Sequence, residues 1–216
     1  LYQFGTRIRP IFLLFDREFA RASRACGHRL LSVLMSARSP SATPAGSSKA
    51  SVVAAAYAAF GELPPGFVPG HPIAGTERSG VQASFPELYR NRRVILTPLD
   101  SSSPEAIETV RTMWQEAGAN VDEMGVEHHD EVLAATSHLP HLLAYGLVDT
   151  LVSMDESEEI FRFAAGGFRD FTRIASSDPV VWRDICVANQ KALLEVLERY
   201  QADLEKLTEL VRWGDG

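Results

Sequence analysis

RVILTPLDSSSPEAIETVRTMWQEAGANVDEMG, residues 93–125, holds the change of pattern that decides the fold. Val94-Ile95-Leu96 is a short apolar run ahead of Pro98, the signature of a buried strand. Ser103 then offers a capping hydroxyl and Pro104 a preset first helical position, so a helix opens there. Gly118 closes that helix, and residues 120–124 read as a further strand. Beyond Gly125 the strand signals stop.

Upstream of this stretch the same alternation continues. Ala50–Phe60 is alanine-rich and helix-competent, stopped by Gly61 and the Pro64-Pro65 turn. Phe67-Val68 is another short apolar run, and a Gly- and Pro-rich loop over residues 69–80 follows it. Downstream, helical spacing fits residues 129–137, 142–151, 157–165 and one long helix over 179–213. Asp178 caps the last and Pro179 opens it. Leu193, Leu197, Tyr200, Leu204, Leu207 and Val211 then form an apolar seam of period 4-3-4-3-4. Either a neighbouring helix of the same chain or a second subunit would bury that seam. The chain therefore divides into an α/β piece over residues 46–125 and an all-helical piece over 126–216.

Residues 1–45 stand apart. The first 46 residues hold seven arginines and no lysine against one Asp and one Glu, a balance of +5 in a chain of net charge -7. Residues 37–48 are a run of Ser, Pro, Ala and Gly that reads as loop. This segment reads either as a basic arm or, the preferred expectation, as sequence not native to the fold. The net acidity argues against general nucleic-acid binding, which needs a basic surface. No apolar run approaches the roughly 20 residues that cross a bilayer. The two cysteines, Cys26 and Cys186, form neither a disulfide framework nor a metal pair, so a cytoplasmic protein is expected.

Five of the six histidines fall between residues 71 and 141. His71 opens the loop HPIAGTERSGV, residues 71–81, just after an expected strand, where α/β folds place their active sites. Glu77 is near enough in sequence to tune it. A second cluster is His128-His129-Asp130 with Ser137-His138-Leu139-Pro140-His141. On a helix Asp130, Ser137 and His141 share a face, and Pro140 would open the turn before it. The histidine spacing matches no standard zinc pattern, and no metal is expected. A third cluster is FRDFTRIA, residues 168–175, with Trp182 nine residues beyond Arg173; arginine among aromatics suits a carboxylate. Taken singly, each of these also fits an ordinary loop histidine, a solvated helix face or a surface arginine.

In this order the three segments resemble the prephenate dehydrogenase family, which includes arogenate dehydrogenases, from about residue 46 to the C-terminus. The resemblance implies the remainder of a Rossmann-like dinucleotide-binding domain followed by an all-α dimerisation domain. It implies oxidative decarboxylation of prephenate with NAD or NADP, in tyrosine biosynthesis, by a homodimer joined through its C-terminal helices. Arogenate is the alternative substrate. By the same resemblance His71 takes the proton of the ring hydroxyl, Glu77 tunes it, and Ser47 contacts it beside the nicotinamide end. Arg173 would bind the ring carboxylate, with Thr76, Ser137, His141, Asp170 and Trp182 around the substrate and Pro72 against the cofactor. One departure stands out. The family opens with a strand and Gly-x-Gly-x-x-Gly, whereas residues 1–45 contain only Gly5 and Gly27. A dimerising fragment that binds substrate without cofactor is thus a second expectation, and a metal-dependent hydrolase built on the histidines a distant third.

Overall fold

The computed structural model describes residues 46–74 and 85–214. The expectation for residues 1–45, and those for Thr76 and Glu77, lie outside them.

Helix α1, Ala50–Phe60, ends at Gly61, whose φ of 76° only glycine adopts freely. Strands β1 (Gly70–Ile73), β2 (Arg93–Leu96) and β3 (Asn120–Glu123) form one sheet in that order, β1 antiparallel and β3 parallel to β2. A parallel pair needs a crossover, and α2, Pro104–Glu116, supplies it. Ser103 caps α2 by accepting from the Ala106 amide at 3.2 Å. Side chains alternate along a strand, so Val94 and Leu96 face α2 and pack with Val68, Ala106, Val110 and Ala119.

His71 pairs with Ile95, and Ile95 points the opposite way from Val94 and Leu96. The sheet therefore turns His71 away from α2. This corrects the expected placement: His71 lies within a strand, not on the loop after Phe67-Val68. Pro72 is tolerated there because, among the described residues, β1 pairs only with β2, and an edge strand can spare a donor. Phe67 and Val68 are instead buried in two different clusters, Phe67 with α1 and Val68 with α2.

Gly118 follows α2 with φ 86°, and a Cβ there would meet the Arg90 Cα at 3.3 Å. Gly118→Ala is expected to lower stability by about 1–2 kcal/mol, the cost of the left-handed region for a residue with a Cβ. Urea unfolding reads it, and an unchanged midpoint would show that the turn relaxes.

The helical part begins with α3, Val126–Leu133, runs through a π-helical turn, Ala134–His138, and continues as α4, Leu139–Val152. The Leu139 amide bonds back five residues to the Ala134 carbonyl. Pro140 does open the helix, but as a wide turn within a continuous rod. Two short helices follow, α5 (Ser157–Arg162) and α6 (Gly166–Thr172), then a 3-10 turn at Arg173–Ser176.

The expected single helix over 179–213 is two, α7 (Pro179–Ala188) and α8 (Gln190–Trp213). The break is Asn189, at φ -112° and ψ 33°. Its buried amide donates to the Asp130 carbonyl at 2.7 Å and lies 3.1 Å from His138 Nδ1. Tying that side chain to α3 and the π turn bends the chain where periodicity alone runs on. The seam divides as well. Leu193 is 5% exposed and packs with Leu139 and Cys186, whereas Leu207 is 55% and Val211 83% exposed. No helix among the described residues is long and apolar enough to cross a membrane.

Candidate active site

α1 and α3 meet on the His71 side of the sheet. Asp130, on α3, accepts from the Lys49 amide at 2.8 Å, the Ala50 amide at 2.9 Å and the Ser48 hydroxyl at 3.1 Å. A carboxylate thus caps α1 from some 80 positions away in the chain, where its charge also meets the helix dipole favourably. Asp130 Oδ1 lies 2.8 Å from His129 Nδ1, and His129 Nε2 lies 2.9 Å from His71 Nδ1. His129 is fully buried. Lys49 is fully buried too, and its ammonium donates to the Gly70 carbonyl at 2.5 Å, one residue before His71.

Burial and neighbouring charge set the ionisation of this group. Burial raises the Asp130 pKa, but hydrogen bonds from His129 and the Lys49 and Ala50 amides outweigh it and hold the carboxyl below its usual range. Burial pulls Lys49 down to about 8 against the attraction of Asp130. His71 is lowered to about 3, first by burial, then by the charge of Lys49 and by His129 and His138, against Asp130. His71 is consequently a neutral imidazole near pH 7.

A cleft of about 650 Å³ opens in front of His71. Ser47, His71, Pro72 and Arg92 line it from the sheet side, and Ser137, His141 and Trp182 from the helices. His141 Nδ1 donates to the Ser137 carbonyl at 2.9 Å, and its ring stacks on Trp182 at 3.4 Å between centroids. The π turn brings this about. By widening one turn it sets Thr136, Ser137 and His141 toward the cleft while Asp130 and His138 stay buried. The regular helical face expected to carry Asp130 with Ser137 and His141 is thereby broken, and Asp130 serves α1 and His129 instead.

Of the expected site residues the structure gathers Ser47, His71, Pro72, Ser137, His141 and Trp182. It sets Asp170 and Arg173 along a different cavity of about 500 Å³, with Phe161 and Phe168; Ile174, next to Arg173, lines the His71 cleft. Lys49, Arg92 and the bonding of His129 to His71 join the site without a signal in the sequence. A lysine beside the Gly-Ser turn carries no sign of burial. Adjacent residues of a helix do not normally face each other, so nothing in the spacing couples His129 to Asp130.

Residues 38–123 match the family description "Prephenate dehydrogenase, nucleotide-binding domain", and residues 125–216 match "Prephenate dehydrogenase, dimerization domain". The chain belongs to the prephenate dehydrogenase family. The junction of the two family domains is also the place where the cleft lies, with His71 contributed by one and His141 and Trp182 by the other. The fold is accordingly a Rossmann-like part followed by a helical domain. Relatives include the cyclohexadienyl dehydrogenase of Zymomonas mobilis, 45% identical over 69% of this chain and 52% of that protein. The prephenate dehydrogenase of Bacillus subtilis is 39% identical over 69% of this chain and 40% of that one. Among solved structures, the prephenate dehydrogenase of Aquifex aeolicus in complex with hydroxyphenyl propionate and NAD+ superposes with a TM-score of 0.73 at 41% identity. That match covers 81% of this chain and 60% of the other. The chain spans about half the length of the protein relatives it matches.

Proposed function

We propose that the cleft in front of His71 carries out the oxidative decarboxylation of prephenate, or of arogenate, with NAD or NADP as hydride acceptor. The observation that carries this reading is a histidine lining the cleft and hydrogen-bonded to the buried His129 through one ring nitrogen, in a chain of this family. The ring hydroxyl donates to the free nitrogen of His71. As the hydride leaves the carbon bearing that hydroxyl, the oxygen becomes the conjugate acid of a ketone, and even a weakly basic imidazole accepts its proton. Loss of CO2 fills the ring, and the proton returns to the phenolate. The substrate carboxylates are negative, and the guanidinium groups of Arg92 in the cleft and Arg173 in the adjoining cavity are suited to them. His141, Ser137 and Trp182 wall the ring. By the resemblance, Thr76 and Asp170 stand on the substrate side and Glu77 tunes His71.

The cleft suits the nicotinamide end of the cofactor in character, with the Ser47 hydroxyl beside the apolar Pro72, Ile73 and Ala74. When bound, the nicotinamide supplies the two-electron acceptor. The N-terminal amides of α1 are committed to Asp130, so the pyrophosphate belongs elsewhere. The test is nicotinamide absorbance with prephenate and arogenate and each cofactor, beside a His71→Asn control. Turnover abolished in the control supports the reading. Turnover equal in both, or calorimetric binding of prephenate with no turnover, would replace it with a different base or with a substrate-binding module.

We further infer that the bare half of the α8 seam joins two copies of the chain. Leu204, Leu207 and Val211 are all exposed on it, and a dimerization-domain match covers it. Light scattering at micromolar concentration should give twice the chain mass, and the double variant Leu204→Glu, Leu207→Glu should give the single chain mass. A single chain mass without substitution would reject the interface.

A further inference from the structure

The bonding around His129 determines where the protons of this group sit. Asp130, held below its usual pKa, is an acceptor, and all its other contacts are donors: two backbone amides and the Ser48 hydroxyl. His129 must therefore donate to it through Nδ1–H. The other nitrogen of a neutral His129 is a lone pair, and it faces His71 Nδ1 at 2.9 Å. That contact is a hydrogen bond only if His71 carries its proton on Nδ1. His71 Nε2 is then a lone pair, and the cleft that His71 lines is where it can act. A doubly protonated His129 would reverse the order, but Lys49 already balances the Asp130 charge, and a second buried cation beside it has no counter-ion among the described residues.

We propose that His129 and Asp130 are positioning residues that fix His71 in the Nδ1–H tautomer, so that Nε2 is the basic nitrogen offered to the substrate hydroxyl. Resting on the dehydrogenase reading above, the assignment gives the proton a defined route. The substrate O–H proton goes to His71 Nε2 as the ring is oxidised, and it would return from Nε2 to the phenolate oxygen once CO2 has left; a bound nicotinamide would supply the hydride acceptor. His71 Nδ1–H continues to donate to His129 throughout, and the imidazolium charge is stabilised by the Asp130 carboxylate through one intervening ring. The same carboxylate caps α1, so the residues that orient the base also fix the Ser47–Lys49 turn beside the cleft.

Two measurements test this. Long-range proton–nitrogen NMR of the full chain labelled with 15N, with the rings assigned through His71→Asn and His129→Gln, reads each tautomer directly. The expected spectrum has His71 and His129 both protonated on Nδ1 and bare on Nε2. His71 protonated on Nε2, or His129 carrying both protons, would overturn the assignment. In turnover, His129→Phe keeps the ring volume but removes the acceptor, and kcat is expected to fall roughly 10²-fold with KM for prephenate little changed. His129→Gln restores an acceptor oxygen toward His71 and is expected to recover most of that loss. Equal kcat in His129→Phe and the unsubstituted chain would also overturn the proposal. Because the NMR needs no turnover, a chain with the expected tautomers and no dehydrogenase activity would reject the proposed reaction alone. Turnover with the other tautomer would reject the positioning role alone.

Discussion

Asp130→Ala is expected to lower the free energy of unfolding by about 3–5 kcal/mol, the range for removing one partner from a buried charge constellation. Four donors lose their acceptor at once: the Lys49 and Ala50 amides, the Ser48 hydroxyl and His129 Nδ1. The fully buried Lys49 ammonium also loses the charge that balances it. Asp130→Asn keeps the shape and one acceptor oxygen, but turns an amide NH2 toward groups that are themselves donors, so it should recover only part of the loss. Urea unfolding at pH 7 measures both. A midpoint unchanged in Asp130→Ala would mean that water replaces the carboxylate without cost.

The pH dependence has a definite sign. The Asp130 pKa is depressed on folding, so its contribution is fully present above its unfolded value near 4 and is lost as the pH falls through the lower folded value. The histidines act in the same direction at higher pH. His71 and His138 are lowered to about 3 and about 4 by burial and nearby positive charge. Between those values and about 6.5 the unfolded chain binds protons that the folded chain refuses, so stability falls steadily as the pH drops below about 6.5. Asp130→Ala should keep a histidine slope between about 4 and 6.5 and lose only the carboxylate's own contribution below pH 4.

What the sequence made legible is what depends on neighbours in the chain. The cap at Ser103-Pro104, the stops at Gly61 and Gly118, the strand at Val94-Ile95-Leu96 and the cap at Asp178 are all governed by a few adjacent residues, and each stands as read. The short helix at Gly166–Thr172 has no such local signal, because two glycines at its start argue against it. What was illegible depends on partners far away in sequence. The break at Asn189 exists because its side chain is needed by Asp130 and His138, more than 50 positions earlier. Ser137 and His141 line the cleft, whereas Asp130, which the straight 3.6-residue rule sets on the same face, does not, because that rule takes no account of a π turn. The motif does not say which cavity Arg173 lines: the 3-10 turn sets it along one cavity and its neighbour Ile174 along the His71 cleft, a placement that depends on how the turn packs.

His71→Asn is expected to reduce kcat by roughly 10²–10⁴-fold, the usual contribution of a placed proton acceptor, while KM for prephenate changes by no more than a few-fold. Asparagine can still accept a hydrogen bond from the ring hydroxyl, so binding survives. It cannot hold the proton while the C–H bond breaks, so the loss falls on the chemical step. The His129 Nε2 lone pair would lose its donor, a deficit of about 1 kcal/mol that leaves the fold intact at 25 °C. Steady-state kinetics separates the two parameters. The pH profile adds a second criterion. The unprotonated form of His71 is the competent one, and its pKa is lowered to about 3, so kcat/KM should show no acid limb from this residue near 6.5. An acid limb at the ordinary histidine value that vanishes in His71→Asn would mean that His71 is solvated in the working enzyme and not held in the buried bonding described here. A rise in KM with kcat preserved would make His71 a binding group and move the search for the proton acceptor to His141, whose Nδ1 is committed to Ser137 and whose other nitrogen remains to act as acceptor in the same cleft.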